Sequence, residues 1–204
     1  MNQQALEDLK EIRSIMDRST RFISLSGISG IIAGVSALAG AAVAYWYFQE
    51  VIFNAESADY WNQDAQYRFF LLDALAVLIV AVSGGIFFTV RKAKSQGQKI
   101  WDSTSRRLLI NLCIPLAVGG YFCAVLLYMG FIGFIAPVTL TFYGLALLNA
   151  SKYTLDDIRY LAISELILGM VALWFIGYGL LFWSIGFGVL HIVYGSVMYF
   201  KYEK

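Results

Sequence analysis

The chain has 204 residues, of which 59% are hydrophobic and 14% charged, with 15 Lys and Arg against 14 Asp and Glu. A soluble domain of this size carries about a quarter charged residues, and a formal charge of +1 provides no basic field for nucleic acid. Soluble enzymes and nucleic-acid binders are therefore set aside in favour of one membrane domain.

Residues 1–21 are polar and hold Lys10, Arg13, Arg18 and Arg21. Ala5, Leu9, Ile12 and Met16 recur at a 4-3-4 spacing, which predicts an amphipathic cytoplasmic helix. No short apolar region with a small-residue cleavage site follows, so no cleavable signal peptide is expected. Apolar runs of about 18 residues or more read as transmembrane helices. Six occur, at about 22–48, 69–90, 108–129, 132–150, 160–181 and 183–200. They predict an all-α polytopic fold of six spans in three helical hairpins, followed by a cytoplasmic tail at 201–204.

The first span begins "SLSGISGIIAGVSALAG" (24–40). On a helix, Gly27, Gly30, Gly34, Ala37 and Ala41 form one stripe, and Ser26, Ser29, Ala33, Ser36 and Gly40 form the next. Ile28, Ile31, Ile32, Val35 and Leu38 face the other way. In lipid, helices associate by close backbone approach, which small residues permit. Three uses are open: packing within the bundle, docking of a protein partner or second copy, or one wall of a ligand cavity. The loop at 49–68 is acidic and flanked by aromatics such as Trp46, Tyr47, Phe69 and Phe70, which read as an interfacial belt. Asp73 is expected about four residues into the second span.

The loop at 91–107 holds Arg91, Lys92, Lys94, Lys99, Arg106 and Arg107. With six spans, this loop, the N-terminal segment, Lys152, Arg159, Lys201 and Lys204 fall on one side, which leaves Arg68 alone on the other. That pattern puts both termini in the cytoplasm, with the basic loop near anionic lipid. Cys113 and Cys123 are ten residues apart in one predicted helix, roughly 15 Å along its axis, so they do not pair. One His and no CxxC encode no metal cluster, and no cofactor is expected.

Short matches point to a repeat of the hairpin. "STRF" (19–22), "STSRRL" (103–108) and "DDIRYL" (156–161) enter the odd spans, and "FIGF" (131–134) and "SIGF" (184–187) begin spans four and six. Glu165 is six residues in from Arg159, roughly 9 Å, and His191 is ten residues before Lys201, roughly 15 Å. They share a hairpin and differ little in depth, so they form either a structural link or a proton-handling pair. Asn111 and Ser26 lie at a similar depth, with Tyr143 and Tyr194 nearby, so the six residues together predict a small cytoplasm-facing polar cavity. HExxH, GxSxG, phosphate-cradling and dinucleotide patterns are absent, which points away from an enzyme.

The stretch "MDRSTRFISLSGISGIIAGVSALAG" (16–40) resembles the start of a family of small six-span bacterial inner-membrane proteins. That resemblance implies no catalytic residues. In layout the chain is also similar to the substrate-binding subunits of energy-coupling-factor vitamin transporters. The expected function is a non-enzymatic scaffold or sensor subunit that binds a partner through the small face of span one. The alternative is a small-solute transporter, or its substrate-binding subunit, with a cavity near Glu165, Asn111 and His191.

Overall fold

The computed structural model describes residues 25–52, 63–97 and 100–204. The amphipathic segment expected at 1–21 lies outside them. The described residues are helical and form no β-strand element. Helix α1 (Gly27–Tyr47) runs on into a π-helical turn at Phe48–Ile52. It is followed by α2 (Gln63–Ser95), α3 (Ser103–Tyr128), α4 (Ile135–Ala150) and α5 (Ile158–Ala172). The last run comprises α6 (Gly179–Trp183), a π-helical stretch at Ser184–Leu190 and α7 (His191–Tyr202).

Among the described residues, five runs are long and apolar enough to cross a membrane: Gly27–Glu50, Asp64–Ser95, Ser103–Tyr128, Ile132–Tyr153 and Ile176–Tyr202. Their outward faces carry exposed apolar side chains, such as Leu71, Leu78, Ile86 and Ile114. In water such surfaces would be costly, whereas in hydrocarbon they are at home. The chain is a helical membrane protein.

The bounds of the fifth predicted span, 160–181, are corrected: its helix runs Ile158–Ala172. Helix α5 has 15 residues, about 22 Å, which is short for a single crossing of a hydrocarbon core of about 30 Å. Hydropathy continues through Leu173, Trp174 and Phe175, but these residues carry the turn and Trp174 is 88% exposed. The sixth run accordingly starts at Ile176 and not at 183. "SIGF" (184–187) lies inside its π-helical stretch. The counterpart of "FIGF" is "FIGY" (175–178): Ile132–Phe134 and Ile176–Tyr178 are both 3₁₀ turns. The two turns meet, since a Cβ on Gly133 would collide with Ile176. The first of them is closed by Gly130 at φ +80, with Phe131 N–H bonded to the Leu126 carbonyl at 2.8 Å and Gly130 N–H to that of Leu127 at 3.0 Å. These are the two bonds of a Schellman motif, and they satisfy carbonyls that the end of α3 leaves free.

Close packing follows the small residues. A Cβ on Gly34 would lie 2.6 Å from the Gly188 carbonyl oxygen, and one on Gly195 would lie 2.6 Å from Ile31 N. The small face of α1 is thus filled by the chain's own α7 and the π-helical stretch before it. Gly27, Gly34, Ala37 and Ala41 are buried there, and Gly30 meets the Gly195 Cα. On its other side α1 meets α2, where Gly40 faces Val77 and Gly84 faces Ile32. Tyr47 stacks on Phe69 with ring centroids 3.8 Å apart. Helices α4 and α5 approach through Gly144 and Gly169, where added Cβ atoms would come within 2.9 Å of the backbone opposite. At the end carrying most of the basic residues, Leu147, Leu155, Ile158, Leu161, Ala162 and Met198 form a buried apolar cluster.

Candidate functional site

Glu165 lies midway along α5, facing α4 and the π-helical stretch, and its side chain is 0% exposed. Its neighbours include Leu140, Leu168 and Gly186. A Cβ on Gly186 would sit 2.6 Å from Glu165 Oε2, so the missing side chain is what makes room for the carboxyl. Single-turn π-helical insertions are frequent at functional positions. Here the stretch carries Gly186 past Glu165 and delivers His191 at its end.

His191 Nδ1 is 2.9 Å from the Gly186 carbonyl oxygen, and Nε2 is 2.7 Å from the Tyr143 hydroxyl. A carbonyl only accepts, so Nδ1 carries a hydrogen. In the neutral imidazole Nε2 then accepts from the Tyr143 O–H, and in the imidazolium it donates to the same oxygen. One frame therefore serves both charge states of the ring. His191 Nδ1 is also 3.5 Å from Glu165 Oε1, an ion-pair distance. Because the Nδ1–H is directed at Gly186, the contact is electrostatic, and neither Glu165 oxygen has a hydrogen-bond partner. A buried carboxylate without donors is expensive. The expense is relieved by a proton on the carboxyl, by a positive charge on His191, or by a water molecule. The arrangement is suited to holding a proton and passing it between a carboxyl, an imidazole and a phenol.

The six residues predicted to share one polar cavity fall into separate places. Glu165, His191 and Tyr143 come together. The Asn111 side chain donates to the Arg107 carbonyl of its own helix at 2.8 Å, and its backbone carbonyl accepts from Asn149 at 3.1 Å. Tyr194 packs against the apolar cluster one turn beyond His191, and its hydroxyl is buried without a partner. Ser26 is at the basic end, where its hydroxyl donates to Glu203 at 3.3 Å. Asp73 is ten residues from the start of α2, which begins six residues ahead of the predicted span.

Ser26 belongs to a second polar centre. Glu203, in the cytoplasmic tail expected at 201–204, accepts the Gly27 N–H and pairs with Lys92 at 3.3 Å. Lys92 also donates to the Leu25 carbonyl at 2.7 Å. Lys92 and Glu203 side chains are only 9% and 13% exposed. A residue from the far end of the chain thus caps α1, whose N-terminus favours a carboxylate. Nearby, Asp157 accepts from both Lys201 and Tyr202. Burial raises the Asp157 carboxyl, but the bonds from Lys201 and Tyr202 outweigh it and hold it below the usual range. The basic residues read only as topology signals include these two structural cations. Gly186 is read in the sequence only as part of the "SIGF" match, and Glu203 lies 111 residues from Lys92, too remote for any local pattern to link them. No group of three or more His, Cys, Asp or Glu among the described residues is arranged to hold a metal.

No protein-family model, no curated protein and no solved structure matches this chain.

Proposed function

We propose that this chain is a proton-binding membrane protein of the small-solute transporter class, working alone or as a substrate-binding subunit. Glu165 is the proton site, His191 its exchange partner, and Tyr143 the group that holds His191 in either charge state. The observation that carries this reading is a wholly buried glutamate whose two oxygens lack hydrogen-bond donors beside a correctly held imidazole. Intramembrane ionisable groups are costly and mark ion and substrate pathways. The topology that goes with it has six crossings in three hairpins, α5 being a short one, with both termini on the cytoplasmic face of a bacterial inner membrane. The charge asymmetry of the sequence supports that orientation. The role expected from the sequence, partner docking through the small face of α1, has less support because α7 occupies that face.

The test is proton flux into vesicles reconstituted with the protein, read with an internal pH dye while a panel of small solutes is supplied outside. At least one solute is expected to drive proton movement above the protein-free rate, with the movement lost in Glu165→Gln and His191→Asn. Flux at the protein-free rate for every solute, or flux unchanged in Glu165→Gln, would overturn the reading.

A further inference from the structure

Glu165 is sealed differently in the two directions along the bundle. Toward the turn end the neighbouring groups are apolar or self-satisfied: Leu140, Leu168, Pro137, and Thr141, whose hydroxyl donates to the Pro137 carbonyl. Toward the basic end lies an ordered series. Next to the site come Ala162 and Leu161, one turn back on α5. Beyond them are Ile158 and Leu155, with Leu147 and Met198 opposite. Beyond those sit the two charged contacts of the last turn of α7, Lys201–Asp157 and Glu203–Lys92. Buried polar groups border the apolar layer on its basic side, among them Thr154, Ser151 and the Tyr194 hydroxyl, which lacks a hydrogen-bond partner and lies within electrostatic reach of Asp157, Tyr160 and Tyr202.

We propose that the basic end of the bundle is a closed gate to Glu165. Lys201, Tyr202 and Glu203 are the latch, and the Leu147–Leu161–Met198 layer is the plug. The inference rests on the reading of Glu165 as the proton site and names how access to it is controlled. Three successive residues tie down two sites: Lys201 and Tyr202 both hold Asp157 at the start of α5, and Glu203 holds α1 and α2. If that turn moves, both ties release together. The plug side chains on α7, Tyr194 and Met198, move with it. Water then reaches the Tyr194 hydroxyl, on the Asp157 side of the layer, and from there the Tyr143–His191–Glu165 chain. While the latch is shut the missing hydrogen bond at Tyr194 is a standing cost that opening removes.

The experiment is carbodiimide labelling of Glu165 in the lipid-reconstituted full chain, read by mass spectrometry of the peptide that contains it. A hydrophobic carbodiimide reaches buried carboxyls through lipid, whereas a charged, water-soluble one needs an aqueous path. In the wild type the hydrophobic reagent is expected to label Glu165 and the water-soluble reagent to leave it unmodified. In Glu203→Gln and in Lys92→Met, water-soluble labelling of Glu165 rises by at least about tenfold, the factor that about 1.4 kcal/mol supplies. Asp73 labelling stays constant in both variants, which separates opening of the gate from unfolding. The variant Lys201→Met, at an exposed position, repeats the test should the inner pair be needed for folding. Unchanged water-soluble labelling in all three variants, with the hydrophobic reagent still labelling Glu165, overturns the gate and leaves the proton site standing. Failure of the hydrophobic reagent to label Glu165 in any form overturns the proton-site reading, and the gate with it.

Discussion

Glu203 and Glu165 are both withdrawn from water, and their surroundings differ in one physical respect. Glu203 lies at a helix end, where the first backbone N–H groups of α1 have no partner of their own, and it collects Gly27 N–H, the Ser26 hydroxyl and Lys92. Glu165 lies mid-helix, where every neighbouring backbone N–H is already spent on its own helix. Only side chains are left to serve it there, and the one within reach is His191. A carboxylate at the first place stabilises the fold as an anion. A carboxyl at the second place has to be stabilised by a proton, by a charge on His191 or by a water molecule.

Substitutions sharpen this contrast. The largest effect is expected from Gly34→Leu, which drives a side chain into the Gly188 carbonyl and Ile192. Separating α1 from α7 removes the helix that Glu203 caps, at more than about 3 kcal/mol. Denaturant unfolding in mixed micelles would register it, and a wild-type midpoint would refute the packing described. Next comes Glu203→Gln, which strips Lys92 of its counter-charge and weakens the cap on α1, at about 2–3 kcal/mol. The same change at Glu165, to Gln, should alter stability at neutral pH by less than about 1 kcal/mol, because no hydrogen bond is there to lose. Equal losses at the two sites would erase the distinction drawn between them.

Smaller effects test the outer parts of the basic end. Asp157→Asn is expected to cost less than about 1 kcal/mol, since its partner Lys201 is half exposed. Its sign with pH is definite. The folded carboxyl is held below its usual range, so its contribution is complete above the unfolded value and fades as pH falls through the folded one. The variant should therefore lose part of the acid-side fall in thermal stability, and an unaltered acid limb would count against the latch contact. Gly130→Ala is the control, distant from both carboxyls. Its φ of +80 disfavours a Cβ, so it should cost about 1 kcal/mol and leave both polar centres intact.

Much of this was legible in the sequence, and the failures have physical causes. Runs of apolar residues sufficed for the helical membrane bundle, because lipid-facing helices must be apolar along their whole length. They did not show that α2 extends through Arg91, Lys92 and Lys94, since charged residues at helix ends remain helical once past the hydrocarbon. Nor did they reveal the turn at 173–175, which has neither Gly nor Pro to announce it. Depth counting brought Glu165 and His191 together correctly, because residues of one hairpin at like depth have few places to go. The same count put Asn111 and Ser26 beside them and failed. Depth says nothing of which way a residue faces, and Asn111 turns back onto its own helix. The Glu203 cap was out of reach, because it joins the two ends of the membrane domain and depends on the complete three-dimensional path.

The most direct test is infrared difference spectroscopy of the protein in lipid across a pH titration, which detects the carbonyl stretch of a protonated carboxyl shielded from water. A titrating band of this kind that disappears in Glu165→Gln, and shifts in His191→Asn, is the predicted result. A spectrum with no such band, or one that Glu165→Gln leaves unchanged, would contradict the assignment of Glu165 as a proton-binding site.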